Sequence, residues 1–100
     1  MNTEVVPFVK FVAIQQIMGS QPTAFMKLAR HYSREEIERL PGSARPFLEL
    51  DKEWMLNNGF SSARVENHCA TSQVVGVETS SKGVLMVKTA RSIYQVIPEF

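Results

Sequence analysis

The side chains with the greatest capacity for chemistry in this sequence are one cysteine, Cys69, and two histidines, His31 and His68. A nucleophilic thiol needs a base beside it, and His68 directly precedes Cys69. In an extended segment, however, adjacent side chains point to opposite faces, so this pair cannot act on one substrate. Two distant histidines and one cysteine also supply too few ligands for a zinc site. The sequence therefore predicts no catalytic residues, no metal and no cofactor.

Basic side chains are the next candidates, because lysine and arginine bind the phosphates of nucleic acids. Two of them precede residue 33, one occupies the tip of a predicted hairpin, and two follow in the last part of the chain. We predict that these cations form a nucleic-acid-binding site: Lys27, Arg30, Lys82, Lys88 and Arg91. The alternative for each is a solvated cation that keeps the surface soluble or prevents pairing at a strand edge. The sequence does not distinguish RNA from DNA as the partner.

The composition limits how such a site can work. The chain of 100 residues holds 11 lysines and arginines against 10 aspartates and glutamates, which gives a formal net charge of +1. A protein that coats DNA without specificity is usually far more basic, so binding here requires cations clustered on one surface. With 44% hydrophobic and 21% charged residues, the chain has the composition of one globular domain over residues 1–100.

The first residues predict a cytoplasmic protein. Glu4 and no basic leader precede the first apolar run, so we expect no signal peptide. That run is interrupted by Lys10 and ends at Gln15 and Gln16, which makes it too short and too polar for a membrane span. We therefore expect no membrane partner.

Apolar spacing predicts two helices before residue 33. From Val5 to Met18 apolar residues recur at helical spacing, and a strand from Glu4 to Phe11 is the alternative. Ser20 and Pro22 are typical of a helix start, which predicts a second helix to about His31 that carries two of the candidate cations.

A third short helix is predicted by the sequence Ser-Arg-Glu-Glu. Ser33 caps such a helix, and Glu36 reaches back to it in the arrangement called a capping box. The helix is expected to end near Leu40, because Pro-Gly-Ser-Ala-Arg-Pro at residues 41–46 is a clear break.

After this break the apolar period becomes two. The run from Phe47 to Leu50 predicts a short strand, and Asp51 then caps a short helix that carries Trp54. Gly59 is typical of the left-handed residue that ends such a helix.

The last part of the chain predicts a hairpin and one further strand. Two Val-rich runs between residues 74 and 87 flank a Ser/Lys/Gly turn, and Gly76 suggests a bulge or a close approach of another chain segment. Ile93 to Ile97 predicts an added strand that Pro98 stops. Together these elements predict an α+β fold, in which N-terminal helices within residues 1–40 pack on a small antiparallel β-sheet formed by residues 46–100.

One stretch, FLELDKEWMLNNGFSS at residues 47–62, combines an alternating run, the only tryptophan and a Gly-Phe pair. Its spacing follows a pattern close to L-x-L-x-x-x-W-L-x-x-x-G-F, whose places are taken by Leu48, Leu50, Trp54, Met55, Gly59 and Phe60. In this respect the stretch resembles the SymE-type toxin family, small bacterial proteins of the AbrB-like swapped-hairpin class. The sequence departs from the family pattern at Ala63, where the family has a further glycine, and in extra residues before the hairpin.

The resemblance implies a homodimer in which hairpins from two chains interleave into one small barrel. It also implies nucleic-acid binding and toxicity through RNA or translation, with no established catalytic residue at the matching positions. Trp54, Phe60 and the two leucines of the pattern are expected in the core.

Two classes of function are therefore predicted. The first is a small nucleic-acid-binding toxin or regulator that resembles SymE-type proteins and acts by binding. The alternative is a small protein-binding inhibitor, antitoxin or immunity-type protein of a phage or plasmid, which the near-neutral charge and small size favour. An enzyme is the least supported class, because no acid and base pair stands in a recognisable setting.

Overall fold

The computed structural model describes residues 10–19, 25–67 and 69–99. In this part of the chain five strands form one antiparallel sheet with the order β2-β1-β5-β4-β3. The elements in chain order are β1 (Lys10–Met18), β2 (Phe25–Ser33), α1 (Arg34–Glu38), α2 (Lys52–Asn57), α3 (Ser62–Asn67), β3 (Gly76–Thr79), β4 (Leu85–Lys88) and β5 (Ile93–Pro98). The prediction of a small α+β fold with an antiparallel sheet is confirmed. The prediction of N-terminal helices is wrong, because strands come first.

The first predicted helix is wrong where the structure describes it, since Lys10–Met18 is strand β1. Residues 5–9 of that prediction lie outside the described residues. The register of β1 shifts against both neighbouring strands between Phe11 and Ala13. This irregularity leaves the adjacent residues Ala13 and Ile14 both buried, which removes the alternation typical of a strand. The apolar residues on almost every side of this segment therefore reflect a central strand.

The second predicted helix is also wrong, because Phe25–Ser33 is strand β2. Its predicted start, at residues 20–24, lies outside the described residues. Met26, Leu28 and Tyr32 are buried at even spacing and face the core. Residues such as Leu, Met, Lys and Arg favour helices, but pairing with β1 overrides that weak preference.

The elements that depend on local signals are as predicted. α1 begins with the capping box of Ser33 and Glu36, and α2 begins at Asp51, whose side chain accepts a hydrogen bond from the Trp54 N–H. Gly59 follows α2 with a φ of 90°, where a glycine avoids the strain of a side chain. The predicted hairpin is β3 and β4, and the predicted last strand is β5. Among the described residues, no helix combines the length and apolar character needed to cross a membrane.

Three smaller features differ from the sequence predictions. The strand predicted from Phe47 to Leu50 is reduced to isolated bridges at Glu49 and Leu50. The bulge or close approach predicted at Gly76 is not found, because its pairing with β4 is regular and an added Cβ would meet nothing within 4 Å. Helix α3 was not predicted at all.

The two edges of the sheet are connected by further main-chain hydrogen bonds, beyond those that pair the five strands, and the sheet with these segments forms a closed ring. The Ala29 N–H of β2 donates to the Glu49 carbonyl at 2.8 Å, and the Leu50 N–H donates to the Cys69 carbonyl at 2.7 Å. The chain then continues to Val75, directly before β3, whose N–H donates to the Lys88 carbonyl of β4 at 2.8 Å. Residues 69–79 therefore bridge the two edges of the sheet, and closure of this kind leaves fewer strand edges exposed.

One continuous core fills the ring. Its fully buried members include Ile14 of β1, Ile37 of α1, Leu48, Met55 of α2 and Val87 of β4. Complete burial of such a side chain contributes about 1.5–3 kcal/mol to the free energy of unfolding. The buried core residues include members of β1, β2, β4, β5 and the three described helices, and β3 adds the partly buried Val77, which packs against them.

The expectation that the resemblance placed on the 47–62 stretch is met in part. Leu48 and Leu50 are buried in the core, whereas Trp54 and Phe60 are only partly buried and pack against it. The two aromatic residues are therefore boundary residues with one side toward the core and another toward the surface.

Candidate nucleic-acid interface

Lys27 and Arg30 are exposed residues of strand β2, not of a helix. The Lys27 Nζ is 3.9 Å from Asp51 Oδ2, and the Arg30 Nη1 is 2.9 Å from Glu36 Oε2. Both cations therefore face a carboxylate that competes with a phosphate for them. Their charges contribute less to a nucleic-acid surface than the sequence alone indicates.

The other three candidates lie around β4. Lys82 is in the turn between β3 and β4, whereas Lys88 ends β4 and Arg91 is in the turn between β4 and β5. Lys82 is thus separated from the other two by the length of β4. Lys88 Nζ lies 2.7 Å from Glu78 Oε2, while neither Lys82 nor Arg91 has an ion-pair partner among the described residues.

Lys88 and Arg91 meet in one cleft of about 320 Å³, which also has Thr89, Ser92 and Ile93 in its wall. We call it the β4–β5 cleft. Among the described residues that line it, none is a carboxylate. Two of the five predicted cations are thus brought together, and Lys27, Arg30 and Lys82 are elsewhere.

Hydrogen bonds hold the turn that forms the β4–β5 cleft. The Ser92 N–H donates to Thr89 Oγ1 at 3.1 Å, and the Thr89 N–H donates to the Ser92 carbonyl at 2.9 Å. The Gln16 side-chain amide, buried under the turn, donates to Ser92 Oγ at 3.1 Å. Gly19 completes the wall with a φ of 136°, and a Cβ there would stand 2.6 Å from Ser92 Oγ. The turn that presents Arg91 is therefore fixed by its neighbours.

A second basic cleft, of about 430 Å³, is lined by Arg64 of α3 together with Thr71, Ser72 and Tyr94. We call it the Arg64 cleft. Arg64 is the only charged residue among the described residues of its wall. A guanidinium beside hydroxyl groups is a suitable environment for a phosphate oxygen, because both donate hydrogen bonds to it.

The two clefts are lined by neighbouring residues at the start of β5. Ile93 lines the β4–β5 cleft, and the next residue, Tyr94, lines the Arg64 cleft. Adjacent strand residues point to opposite faces, so the two clefts lie on either side of the same strand end. Arg64 and Arg91 thereby supply positive charge near β5, whereas the charge of Lys88 is offset by Glu78 at 2.7 Å.

An aromatic row continues from the Arg64 cleft. The guanidinium carbon of Arg64 lies 5.0 Å from the centroid of the Phe60 ring, within the range of a cation–π contact. Phe60 and Trp54 have centroids 6.2 Å apart, and Trp54 and Phe25 have centroids 5.7 Å apart. The ring of Phe25 ends the row with 45% of the residue exposed. We call Phe25, Trp54 and Phe60 the aromatic row.

Local sequence signals place the row on α2 and α3. Asp51 starts α2 one residue before Lys52, and this fixes Trp54 one turn later. The turn at Gly59 allows the Phe60 N–H to donate to the Met55 carbonyl at 3.0 Å. Ser61 then accepts a hydrogen bond from the Arg64 N–H at 3.1 Å and starts α3.

Hydrogen bonds favour the charged form of one carboxyl near the candidate cations, that of Glu36. The Ser33 N–H donates to Glu36 Oε1 at 2.9 Å and lowers the pKa of the Glu36 carboxyl, and the hydrogen bond from Arg30 lowers it further. Glu36 therefore stays charged at mildly acidic pH and keeps its pairing with Arg30.

The side chains considered for catalysis or metal binding are His31, His68 and Cys69. His68 lies outside the described residues, and His31 Nδ1 lies 3.6 Å from Glu99 Oε1. Within the ranges that the structure describes, no three His, Cys, Asp or Glu side chains converge as metal ligands would. Cys69 is a free thiol of intermediate exposure.

Sequence reasoning missed Arg64 and Phe25 as members of the interface. The run Ser-Ser-Ala-Arg-Val-Glu-Asn contains a helix-starting serine, and this signal could have indicated α3. The contact between Phe25 and Trp54 has no such signal, because it joins a strand and a helix far apart in the chain.

Comparison with known proteins gives no match that bears on the candidate interface. The chain matches no protein-family model, no curated protein and no solved structure.

Proposed function

We propose that this protein binds nucleic acid and acts as a small toxin or regulator, as its resemblance to SymE-type proteins implies, by binding rather than by catalysis. The observation that carries the proposal is the pair of clefts on either side of β5. Each has an arginine without an ion-pair partner among the described residues, Arg64 in one and Arg91 in the other, and neither has a carboxylate among its described lining residues. Lys88 contributes less, because Glu78 lies 2.7 Å from it. Phosphate groups complement such a surface, whereas the clefts around Arg45 and Arg30 contain glutamates that would repel them.

The test is direct binding of the purified protein to RNA and DNA oligonucleotides at several salt concentrations. Each protein–phosphate contact releases a bound counterion, so the logarithm of the affinity should fall linearly with the logarithm of the salt concentration. Arg91→Gln should weaken binding to all sequences alike and reduce the slope of this line by about 1.

Arg39→Gln is the matched control for Arg91→Gln. Arg39 is the exposed C-cap of α1, lies 3.6 Å from Glu35 and lines neither basic cleft. Both variants lower the net charge equally. If Arg39→Gln weakened binding as much as Arg91→Gln, general charge and not the β4–β5 cleft would account for the affinity.

The second candidate function is a protein-binding inhibitor, antitoxin or immunity-type protein. Exposed apolar side chains favour it, notably Met18 at the end of β1, with 60% of the residue exposed, and Leu56 of α2, with 49% exposed. This function predicts a co-purifying protein that high salt does not release and that Met18→Lys or Leu56→Lys does release. Nucleic-acid binding predicts instead that high salt releases the bound partner.

A further inference from the structure

We infer that the nucleic acid bound here is single-stranded, and that its unpaired bases extend the aromatic row at Phe25 and at Arg64. This inference rests on the proposed function and specifies its ligand. It follows from the position of the row beside the basic clefts and from the exposure of its two ends.

The row has two ends that a base can reach. Phe25 is 45% exposed and is the last ring, among the described residues, of a series whose neighbouring ring centroids lie 5.7 and 6.2 Å apart. At the other end the exposed Arg64 covers Phe60, and a planar guanidinium stacks on a base as readily as on a phenyl ring. Trp54 lies between them and is in contact with both neighbouring rings.

Charge makes a nucleic acid the appropriate occupant of this surface. Arg64 covers Phe60 at one end of the row and also lines the Arg64 cleft, so a strand whose base stacks at this end has its phosphate beside the only charge among the described residues of that cleft. Lys27 lies two residues from Phe25 on β2, but Asp51 Oδ2 at 3.9 Å competes with a phosphate for it, so Arg64 supplies the unpaired charge beside the row. Aromatic faces combined with cations are the usual means of binding single strands.

A double helix cannot use this arrangement in the same way. Its bases are stacked on one another and its outer surface is phosphate and sugar, so Phe25 and Arg64 would meet no base face. Unpaired bases can splay out and stack on aromatic and guanidinium groups. The row therefore favours a single strand, while the basic clefts alone would accept either form.

The experiment compares one oligonucleotide as a single strand and as a duplex, with Trp54 as the reporter. Trp54 is the only tryptophan, so its fluorescence reports binding at the row without any label. The single strand should bind more tightly than the duplex and change this fluorescence. Phe25→Ala should weaken single-strand binding by about 5- to 150-fold, since one stacked base contributes about 1–3 kcal/mol. Phe25→Tyr, which keeps a ring, should bind like the original protein.

Phe47→Ala is the matched control for Phe25→Ala. Phe47 is 39% exposed, but it lines a different cleft that contains Glu49 and Asp51. Thermal unfolding of each variant shows whether it is folded. Single-strand affinity that is unchanged in Phe25→Ala, or a duplex that binds better than the single strand, would overturn this inference and leave the proposed function intact. Failure of both forms to bind the original protein would overturn both.

Discussion

Arg64 is the side chain at which the two parts of the interface join. It is the only charge among the described residues of one basic cleft, and its guanidinium covers Phe60 at 5.0 Å. Other arginines of the described chain lie beside glutamates, such as Arg30 at 2.9 Å from Glu36 and Arg45 at 3.4 Å from Glu49. The Arg64 guanidinium is therefore placed to donate hydrogen bonds to a phosphate through its N–H groups and to stack on a base through its planar face.

Two substitutions separate these roles of Arg64. Arg64→Gln removes the charge and should lower the salt slope of nucleic-acid binding by about 1. Arg64→Lys keeps the charge but loses the planar group, so the slope should be retained while affinity for single strands falls. The measurement is the salt dependence of binding for both variants. Equal slopes in Arg64→Gln and the original protein would exclude a phosphate contact at this residue.

Glu36 gives a prediction about pH. Its carboxyl has a pKa lowered in the folded state by the Ser33 N–H and by Arg30, relative to an ordinary value of 4.5. A group of this kind binds protons more readily in the unfolded chain, so its stabilising contribution is present above pH 4.5. The contribution is lost as the pH falls through the folded pKa.

Urea unfolding of Glu36→Gln and the original protein at several pH values tests this contribution. The variant should be less stable at neutral pH, and the difference should shrink below pH 4.5. A difference that is constant with pH would show that the capping geometry, and not the charge of Glu36, accounts for the effect.

At the scale of the elements, the sequence predicted those that depend on local signals and failed for those that depend on tertiary contacts. The Ser33 capping box, the Asp51 cap and the β3–β4 hairpin depend on residues close in sequence, and all three were predicted. β1 was predicted as a helix because burial and an irregular register concealed the period of two, and β2 because its residue types favour helices. The same limit applies to the candidate interface. Lys88 and Arg91 lie close together because they flank one turn, which is a local feature. Phe25 approaches Trp54 only once the whole chain has folded.

The Asp51 cap of α2 supports one side of the aromatic row. Asp51→Ala should lower the free energy of unfolding by about 1 kcal/mol and change the fluorescence of Trp54, whose N–H it caps at 2.9 Å. Asp51→Asn caps equally well and should restore both properties. Chemical denaturation followed by fluorescence measures the two together. An asparagine variant as unstable as the alanine variant would assign the effect to the pair with Lys27 instead.

At the scale of the whole molecule, the closed ring and its single core determine stability. Leu48 is fully buried and lies in the segment that connects β2 to residues 69–79. Leu48→Ala should therefore cost about 2–5 kcal/mol, whereas the exposed Leu56→Ala should change stability by less than about 0.5 kcal/mol. Urea unfolding of the two variants provides the comparison. Equal costs would contradict the ring-closing role of the Leu48 segment.

The closed ring limits how two chains could associate in the predicted homodimer. The resemblance to SymE-type proteins implies hairpins that interleave between two chains, but here one chain closes its own ring. A homodimer stays a prediction, and it would join two complete rings through their surfaces. Light scattering over a range of protein concentrations measures the mass on which this prediction depends.

Binding of a mixed-sequence single-stranded RNA across a salt series tests the central claim most directly. The protein should bind at about 50 mM salt, and the affinity should fall steeply and linearly on logarithmic axes as salt increases. Arg91→Gln should reduce the slope, and Arg39→Gln should not. Absence of binding at the lowest salt concentration, for RNA and DNA alike, would contradict a nucleic-acid partner and leave a protein partner as the function to test.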